Sequence, residues 1–355
     1  MKDGRMAERT LTERDLNRAL LARQLLLERS DLSLNKALER IGGLQTQYAP
    51  SAYIGLWARL RDFRKETLTQ ALEKRRIVQA TMMRITIHMA TVPDYKLFSA
   101  ATRKSRRKAW LAYHRRHAGD LDMPAVARSV RKHLADGPRK QAELAALLES
   151  DGFPRITWSG AGLWVDLVRV PPSGTWAKRR ADLYSLAEDW IGAYQDDERA
   201  GIEHLARRYL SGFGPAPVTD IANWAGLQVT ALRPVIADMK LRRFKDAKGG
   251  ELIDLPRAPL PDADTPAPVR FLPTWDASLL VHARRTQLLP DAYRPRVFDT
   301  KTPHSVPTFL IDGRVAGTWR YEKERVKVSP FGRLSPSARG QLEDEADRLA
   351  AFHAD

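Results

Sequence analysis

The chain has 355 residues, 43% of them hydrophobic, so it is long enough for two to four packed modules. Lysine and arginine outnumber aspartate and glutamate by 59 to 43, a formal net charge of +16 at pH 7. Such a surface is the natural complement of a polyanion such as nucleic acid; a merely solvated basic surface is the alternative. The absence of cysteine excludes disulfides, thiolate nucleophiles, zinc fingers and iron–sulfur clusters.

Further classes are disfavoured by missing patterns. No apolar run approaches the length needed to cross a bilayer, and residues 1–9 are polar and charged without a signal-type apolar core. We therefore expect a soluble, cytoplasmic protein with no membrane partner. There is no glycine-rich phosphate loop followed by Lys-Ser/Thr and no His-Glu-x-x-His, so neither a metal nor a cofactor is suggested.

Residues 10–92 read as short helices followed by two strands, the order of elements in a winged helix. Leucines at helical spacing predict an amphipathic helix from Leu11 to Leu27. A second short helix ends at Gly42-Gly43, a natural helix stop. The other predicted elements are a helix that begins after Ser51, a helix from Lys65 to Lys74, and strands at Ile77–Met82 and Arg84–Ala90.

The same order recurs at residues 93–190 and at residues 198–256. The second unit begins with a long basic helix, and the third carries a turn signal, Lys248-Gly249-Gly250, between its strands. The predicted helices are Tyr95–His117, Met123–Leu134, one that follows Pro138, Ala200–Leu210, Val218–Leu227 and Ala231–Met239; the predicted strands are Leu163–Val170, Ala181–Leu186, Leu241–Phe244 and Leu252–Leu255. Three copies of one element order predict three tandem winged-helix motifs.

The pattern changes after a linker at residues 256–268 that is rich in proline, aspartate and alanine. Asp312-Gly313 is a strong hairpin signal between predicted strands Thr308–Ile311 and Arg314–Tyr321. With a further strand at Val269–Leu272 and a closing helix at Ser335–Phe352, residues 268–355 form a C-terminal β-rich section. The fold class that we predict is α+β.

The segment that joins the second helix to the third contains two glutamines, Gln45 and Gln47, in the run Gly43-Leu44-Gln45-Thr46-Gln47-Tyr48. In an α-helix, side chains at positions i and i+2 point about 200° apart, whereas in extended backbone they share one face. If the two amides act together, the segment must be extended or turned. Polar groups that cap a loop beside a helix start are the alternative interpretation.

The clearest electrostatic feature is the basic helix, which carries eight cations and no acid between Lys96 and Arg116. Lysine and arginine neutralise phosphates, which gives affinity for nucleic acid without sequence specificity. A solvated helix face is the alternative. The residues that we expect to contact phosphates here are Arg103, Lys104, Arg106, Arg107 and Lys108, together with Lys178 and Arg179 near the strands of the second unit.

Three other places carry polar side chains of interest. If Arg84-Ile85-Thr86-Ile87-His88 is a strand, Arg84, Thr86 and His88 point to one side; the ordinary polar outer face of a half-buried strand is the alternative that these residues alone favour. Asp276 precedes the basic run His282-Ala283-Arg284-Arg285 and is a candidate to orient an arginine or polarise a water; a structural ion pair is the alternative. Arg314 follows the hairpin turn, which is a candidate element for probing a DNA groove or a bare structural turn.

The chain resembles the winged-helix DNA glycosylases of the AlkZ/YcaQ group. The resemblance rests on the order of Leu21-Ala22-Arg23-Gln24-Leu25-Leu26-Leu27, Gly43-Leu44-Gln45-Thr46-Gln47, Arg84-Ile85-Thr86-Ile87-His88, Leu272-Pro273-Thr274-Trp275-Asp276 and the run from Leu310 to Arg320. It implies a C-shaped DNA-binding body in which Gln45 and Gln47 are the catalytic pair of the AlkZ-like branch. The YcaQ-like branch has Gln-x-Asp instead. Thr46 replaces the usual aliphatic residue between the glutamines.

The resemblance also implies the reaction. We expect a monofunctional glycosylase without lyase activity that hydrolyses the N-glycosidic bond of N7-alkylated purines in double-stranded DNA, including bulky adducts and interstrand crosslinks. Arg84 and His88 are further expected DNA contacts, and Thr86 and Asp276 are candidates to support the contacting residues without touching the DNA. The protein is expected to be a monomer. The alternatives are a catalytically silent winged-helix DNA-binding protein, such as a regulator, and a scaffold that binds no nucleic acid.

Overall fold

The computed structural model describes residues 9–116, 121–280, 286–298 and 305–355. The helices are α1 Glu13–Arg23, α2 Leu34–Ile41, α3 Ala49–Trp57, α4 Lys65–Glu73, α5 Val92–Tyr113, α6 Met123–Leu134, α7 Gln141–Ser150, α8 Thr157–Trp164, α9 Ala187–Ile191, α10 Glu198–Phe213, α11 Val218–Ala225, α12 Val229–Ala237, α13 Ala277–Leu280, α14 Arg294–Val297 and α15 Pro336–Ala354. The strands are β1 Thr10–Leu11, β2 Leu44–Gln45, β3 Ile77–Thr81, β4 Ile87–Thr91, β5 Arg139–Lys140, β6 Leu167–Arg169, β7 Leu183–Leu186, β8 Arg242–Asp246, β9 Glu251–Asp254, β10 Arg270–Leu272, β11 Thr308–Ile311, β12 Arg314–Glu322 and β13 Arg325–Pro330.

The largest sheet in the described residues has six strands in the order β2-β4-β3-β6-β7-β5. Its central strand β3 pairs antiparallel with β4 over five residues and with β6 through Gln79 opposite Arg169 and Ala80 opposite Val168. Strands from residues 10–92 and from residues 93–190 therefore belong to one hydrogen-bonded sheet.

Two smaller sheets lie in the rest of the described chain. β1 pairs in parallel with β8, which in turn pairs with β9, so the start of the chain is tied to residues 242–254. β10, β11, β12 and β13 form a four-stranded antiparallel sheet. The two-residue turn Asp312-Gly313 between β11 and β12 is confirmed, and both of its residues have the positive φ angles typical of a tight hairpin.

The long helices α5 and α10 pack against each other in the main apolar core. Helix α5 begins at Thr91, whose hydroxyl accepts the Asp94 backbone N–H, with Pro93 in the first turn. Close approach is possible because α10 presents Gly201 to α5: a Cβ there would lie 2.6 Å from the Leu97 carbonyl oxygen. A second apolar cluster includes residues from α6, α7 and α8, so the helices of residues 123–164 have a core of their own.

Buried arginines connect distant segments. Arg23 at the end of α1 donates to both carboxylate oxygens of Asp254 in β9, at 2.6 and 3.0 Å. Arg59, just after α3, forms a bidentate pair with Asp276, with both N···O distances 2.9 Å. Since all four side chains are fully buried, each pair requires its partner to stay in place, because a lone buried charge is strongly destabilising.

The α+β class is confirmed, and helices followed by a pair of strands recur in the three regions where the sequence predicts them. The three-fold winged-helix assignment, the C shape and the domain limits remain predictions. No described helix combines the length and apolar character that crossing a membrane demands. Some predicted bounds are wrong. β4 begins at Ile87, not Arg84, because Arg84 and Ile85 take φ angles of 54° and 58° in a 3₁₀ turn at Met83–Ile85. The strand predicted from Leu163 begins at Leu167, because α8 continues to Trp164, and α3 begins at Ala49, so Ser51 lies inside that helix.

Candidate active site

The segment that carries the two glutamines is extended from Leu44 to Thr46 and bends at Gln47 and Tyr48. Helix α2 stops at Gly42, which has the left-handed backbone of a helix end with φ of 79°. Gly43 has the same φ, and a Cβ on it would lie 2.8 Å from the Met89 carbonyl oxygen, so only glycine fits beside β4. Leu44 and Gln45 then pair with Met89 and His88. The extended backbone that the i, i+2 spacing requires is therefore present.

Side chains alternate along this segment. Leu44 and Thr46 are buried, whereas Gln45 is half-buried and Gln47 is exposed. The Thr46 backbone N–H donates to the Ile87 carbonyl at 2.8 Å, which extends the pairing with β4 beyond Gln45. Because successive residues of an extended chain point to opposite faces, both glutamines lie on the side away from Thr46.

Both glutamine carbonyls are held by donors from residues 84–87, the 3₁₀ turn and the first residue of β4. Arg84 Nη2 donates to Gln45 Oε1 at 2.8 Å, and the Ile87 backbone N–H donates to Gln47 Oε1 at 2.7 Å. A guanidinium and a backbone N–H are donors only, so the acceptor in each pair must be the amide oxygen rather than the nitrogen. Each oxygen keeps a second lone pair, and each amide NH₂ is directed away from its donor.

Arg84 is fixed at its other end by the third region of the chain. Its Nη1 donates to the carbonyl of Trp224 in α11. Burial lowers the pKa of Arg84 to about 10, so the guanidinium stays protonated at neutral pH. The left-handed backbone of Arg84 thus places one charged side chain between α11 and Gln45.

His88 lies opposite Gln45 in the ladder but is only 3% exposed. Burial, and then the nearby Arg84, lower the pKa of His88 to about 3. The imidazole is therefore neutral at pH 7 and does not act as a general acid there. Its Nδ1 lies 3.0 Å from the Thr86 carbonyl, while the Thr86 hydroxyl donates to the Met83 carbonyl at 3.0 Å. The predicted contact of His88 with DNA stays a prediction, and the enclosed position of the side chain does not favour it.

The loop at residues 171–180, between β6 and β7, lies beside the glutamines. Arg179 Nη1 donates to the hydroxyl of Tyr48, the residue that follows Gln47, at 2.9 Å. Lys178 is exposed, and its ammonium has no partner among the described residues. Two of the cations predicted to contact DNA therefore lie next to the candidate catalytic segment.

The sequence model for the family described as DNA glycosylase AlkZ-like matches residues 38–352. This chain belongs to the AlkZ-like DNA glycosylase family. The matched region contains both glutamines, β3, β4 and the 171–180 loop, which supports glycosylase activity and a DNA substrate.

Structural comparison agrees at the level of the fold. The solved structure of Streptomyces sahachiroi DNA glycosylase AlkZ is similar with a TM-score of 0.79, over 96% of this chain and 97% of that one, at 17% sequence identity. At that identity the likeness shows that the AlkZ-like fold extends over nearly the whole chain. No curated protein matches the sequence.

In this AlkZ-like chain the cations of α5 are largely occupied within the protein. Arg103 pairs with Asp166 at 2.5 Å and with Asp196, and Lys104 pairs with Glu198 at 2.5 Å. Arg106, only 4% exposed, donates to the Thr81 carbonyl at 2.6 Å.

Arg107, next along α5, donates to the Leu163 carbonyl at 2.7 Å. Lys108 is exposed without a side-chain partner among the described residues. The predicted phosphate contact of Arg106 stays a prediction that its buried position does not favour.

Asp276 and the 312–313 hairpin are also structural. Asp276 is enclosed with Arg59, so its alternative interpretation as a structural ion pair is the one observed; the basic run at residues 282–285 lies outside the described residues. The hairpin turn is docked on α1: Asn17 donates to the Gly313 carbonyl at 2.8 Å, and Arg14 pairs with Asp312 at 2.9 Å. A turn in that position is not free to probe a DNA groove.

Arg314 turns back onto the protein as well. It donates to the Thr286 carbonyl at 3.1 Å and approaches Glu13 at 3.6 Å. Its predicted DNA contact therefore has no support from its position.

Two residues near the glutamines were missed in the sequence. Tyr48 follows Gln47 directly and is 38% exposed. Gln79 is 1% exposed in the centre of β3, where its Nε2 donates to the Thr46 hydroxyl at 2.6 Å. The available signal for Gln79 was a single amide inside the apolar run Ile77-Val78-Gln79-Ala80, since a buried amide needs a partner.

Proposed function

We propose that this protein is a monofunctional DNA glycosylase that hydrolyses the N-glycosidic bond of N7-alkylated purines in double-stranded DNA. The observation that carries the proposal is the extended segment in which Gln45 and Gln47 share a face and have oriented amides. Membership of the AlkZ-like family supports the reaction class.

The chemistry suits amides because of the lesion. Alkylation at N7 makes the purine cationic, so it leaves as a neutral base without a strong acid. The enzyme must then hold a water at the anomeric carbon and stabilise an oxocarbenium-like sugar. The free lone pairs of the Gln45 and Gln47 carbonyls can accept from that water, and their dipoles can face the developing positive charge. An amide is not protonated near neutral pH, so the pair positions the water and the proton passes to solvent.

The same residues support the absence of lyase activity. A lyase step requires an amine that forms a Schiff base with the sugar. Neither glutamine amide is such a nucleophile, so we expect hydrolysis to leave an intact abasic strand.

The proposed DNA-contacting set follows from position and pairing. Lys178 and Arg179 lie beside the candidate segment, and Lys108 is exposed on α5. Arg84 acts through Gln45. Three other cations of α5 would have to break the bonds that they already make in order to contact phosphate: Arg103, Lys104 and Arg107. We therefore propose that they contribute less to DNA binding.

Bulky adducts and interstrand crosslinks are included in the proposed substrate class. Gln47 is exposed rather than enclosed, which suits a lesion that cannot be fully extracted from the duplex. Three tandem winged helices that act as a monomer on duplex DNA remain the proposed architecture, supported by the repeated element order.

The test is release of base from duplex DNA that contains N7-methylguanine, with heat or alkali afterwards to cut at abasic sites. We expect wild type to release base faster than the spontaneous rate, and Gln45→Ala and Gln47→Ala each to lower the single-turnover rate about 100-fold. Gln70→Ala, on the exposed face of α4, is the matched control. Omitting heat and alkali should leave the strand uncut.

Each failure has a separate meaning. If wild type releases no base from this duplex or from one with a bulky N7 adduct, the protein is a silent DNA-binding member of its family. If both glutamine variants release base at the wild-type rate, only the assignment of the site is lost.

A further inference from the structure

Gln79 forms a buried hydrogen bond directly behind the candidate catalytic segment. Its Nε2 donates to Thr46 Oγ1 at 2.6 Å, and both side chains are at most 1% exposed. Thr46 stands between the two glutamines, so whatever fixes Thr46 also fixes the backbone on both sides of it. A buried amide that loses its partner is costly, and this gives the bond a strong preference for one geometry.

The 171–180 loop rests on Gln79 from the other side. Gly174 has a φ of 74°, and a Cβ placed on it would overlap Gln79 Oε1, so the loop backbone lies against the amide. The Gly174 N–H donates to the Lys178 carbonyl at 2.8 Å, which closes the loop that carries Lys178 and Arg179. Thr46, Gln79 and Gly174 therefore form a continuous buried contact from the glutamine segment to this loop.

A second contact joins the same two segments at the surface. Arg179 Nη1 donates to the Tyr48 hydroxyl at 2.9 Å. Thr46 and Tyr48 flank Gln47, so the loop holds the segment on both sides of that glutamine, once inside the protein and once at its surface.

We propose that Gln79 is a positioning residue: its bond to Thr46 sets Gln45 and Gln47 against the 171–180 loop in the geometry that holds the attacking water. The inference rests on the proposed glycosylase function. Gln79 does not touch the substrate, and it acts through Thr46. A hydroxyl between the glutamines is thus part of the catalytic arrangement of this chain, where an aliphatic residue would only fill space.

The experiment removes the bond from either end and measures chemistry separately from binding. Thr46→Val keeps the shape and loses the hydroxyl, and Gln79→Met keeps the length and loses the amide. We expect each to lower the single-turnover rate of N7-methylguanine release by about 10- to 100-fold, since small displacements of catalytic groups have effects of that order. The dissociation constant for the same duplex should stay within about twofold of wild type.

Two further variants separate positioning from general damage. Thr46→Ser retains the hydroxyl and should restore at least about half of the wild-type rate. The double variant Thr46→Val/Gln79→Met should be no slower than the slower single variant, because both changes remove one interaction and their effects do not add. Thr69→Val on α4 is the matched control, because it removes a hydroxyl that is hydrogen-bonded to the Tyr53 hydroxyl at 2.9 Å. We expect this variant to keep the wild-type rate.

The outcomes divide cleanly. The proposal is overturned if Thr46→Val and Gln79→Met both keep the wild-type single-turnover rate, or if Thr46→Ser is as slow as Thr46→Val. It is also overturned if rate and DNA affinity fall in parallel. Absence of base release by wild type would instead remove the proposed function, which is a different result from wild-type activity with indifferent variants.

Discussion

Helix α5 and the 171–180 loop both carry clustered cations, yet they use them differently. On α5, Arg103 and Lys104 are paired with carboxylates from elsewhere in the chain, and Arg106 is enclosed. On the loop, Lys178 is exposed without a partner among the described residues. Arg179 donates to the hydroxyl of Tyr48 beside the glutamines and lies 6.0 Å from the Trp176 ring, but it has no carboxylate partner among those residues. Whether each cation already has a partner within the protein therefore says more about DNA binding than the number of cations in the segment.

The largest expected effect is the loss of stability on substitution of Arg106, the enclosed cation of α5. Arg106→Ala removes donors to the Thr81 carbonyl and the Ser99 hydroxyl and leaves a cavity, so we expect the free energy of unfolding to fall by about 3 kcal/mol. Chemical denaturation measures it. An unchanged stability together with weaker DNA binding would mean that Arg106 belongs with the loop cations after all.

The stability of the protein should also be sensitive to acid through buried His88 in β4. Folded His88 has a pKa of about 3 against an ordinary 6.5, so below pH 6.5 the unfolded chain takes up a proton that the folded protein refuses. The stabilising contribution is complete above pH 6.5 and is lost as pH falls. Between pH 7 and pH 5 we expect wild type to lose about 2 kcal/mol more than His88→Asn. Parallel stability curves for the two proteins would show that His88 is accessible to protons.

For the loop, the expected effect is on DNA affinity. Lys178→Ala and Arg179→Ala should each reduce the slope of the log binding constant against log salt concentration by about 0.9. This is the counterion release expected for one phosphate contact. Together they should weaken binding about tenfold at moderate salt, with no dependence on sequence. Fluorescence anisotropy over a salt series measures both quantities. A slope equal to that of wild type would remove the loop from the DNA interface.

The smallest effect is expected at Lys104, the matched control on α5. Its ion pair with Glu198 is exposed, and such pairs contribute less than about 1 kcal/mol. Lys104→Ala should leave the salt slope unchanged and the unfolding free energy nearly so. A loss of slope as large as that of Arg179→Ala would add Lys104 to Lys108 as a DNA contact on α5.

Local patterns predicted much of this molecule. The i, i+2 spacing of Gln45 and Gln47 required extended backbone, which the pairing with β4 provides. The bounds of α5 and the Asp312-Gly313 turn were close because capping, periodicity and turn chemistry act over a few residues.

What could not be predicted depends on contacts between distant residues. The acids that balance α5 come from residues 166, 196 and 198, so a segment without acids looked unpaired. Arg59 and Asp276 are 217 positions apart. The strand predicted to begin at Arg84 was wrong for a different reason. The alternation of polar and apolar residues fits a strand, but Arg84 and Ile85 have left-handed backbone, and β4 begins after them.

The pairing of β3 with both β4 and β6 bears on how the protein can be divided. A cut between residues 92 and 93 would leave β3 with an open edge of unsatisfied N–H and C=O groups, and β6 would keep β7 but lose β3. Because the cut breaks the sheet, neither fragment is suitable for transplanting the glutamine segment into another scaffold. A transplanted unit would need the stretch from α2 to β7 together with the Trp224 carbonyl that holds Arg84 and the Asp276 carboxylate that pairs with Arg59.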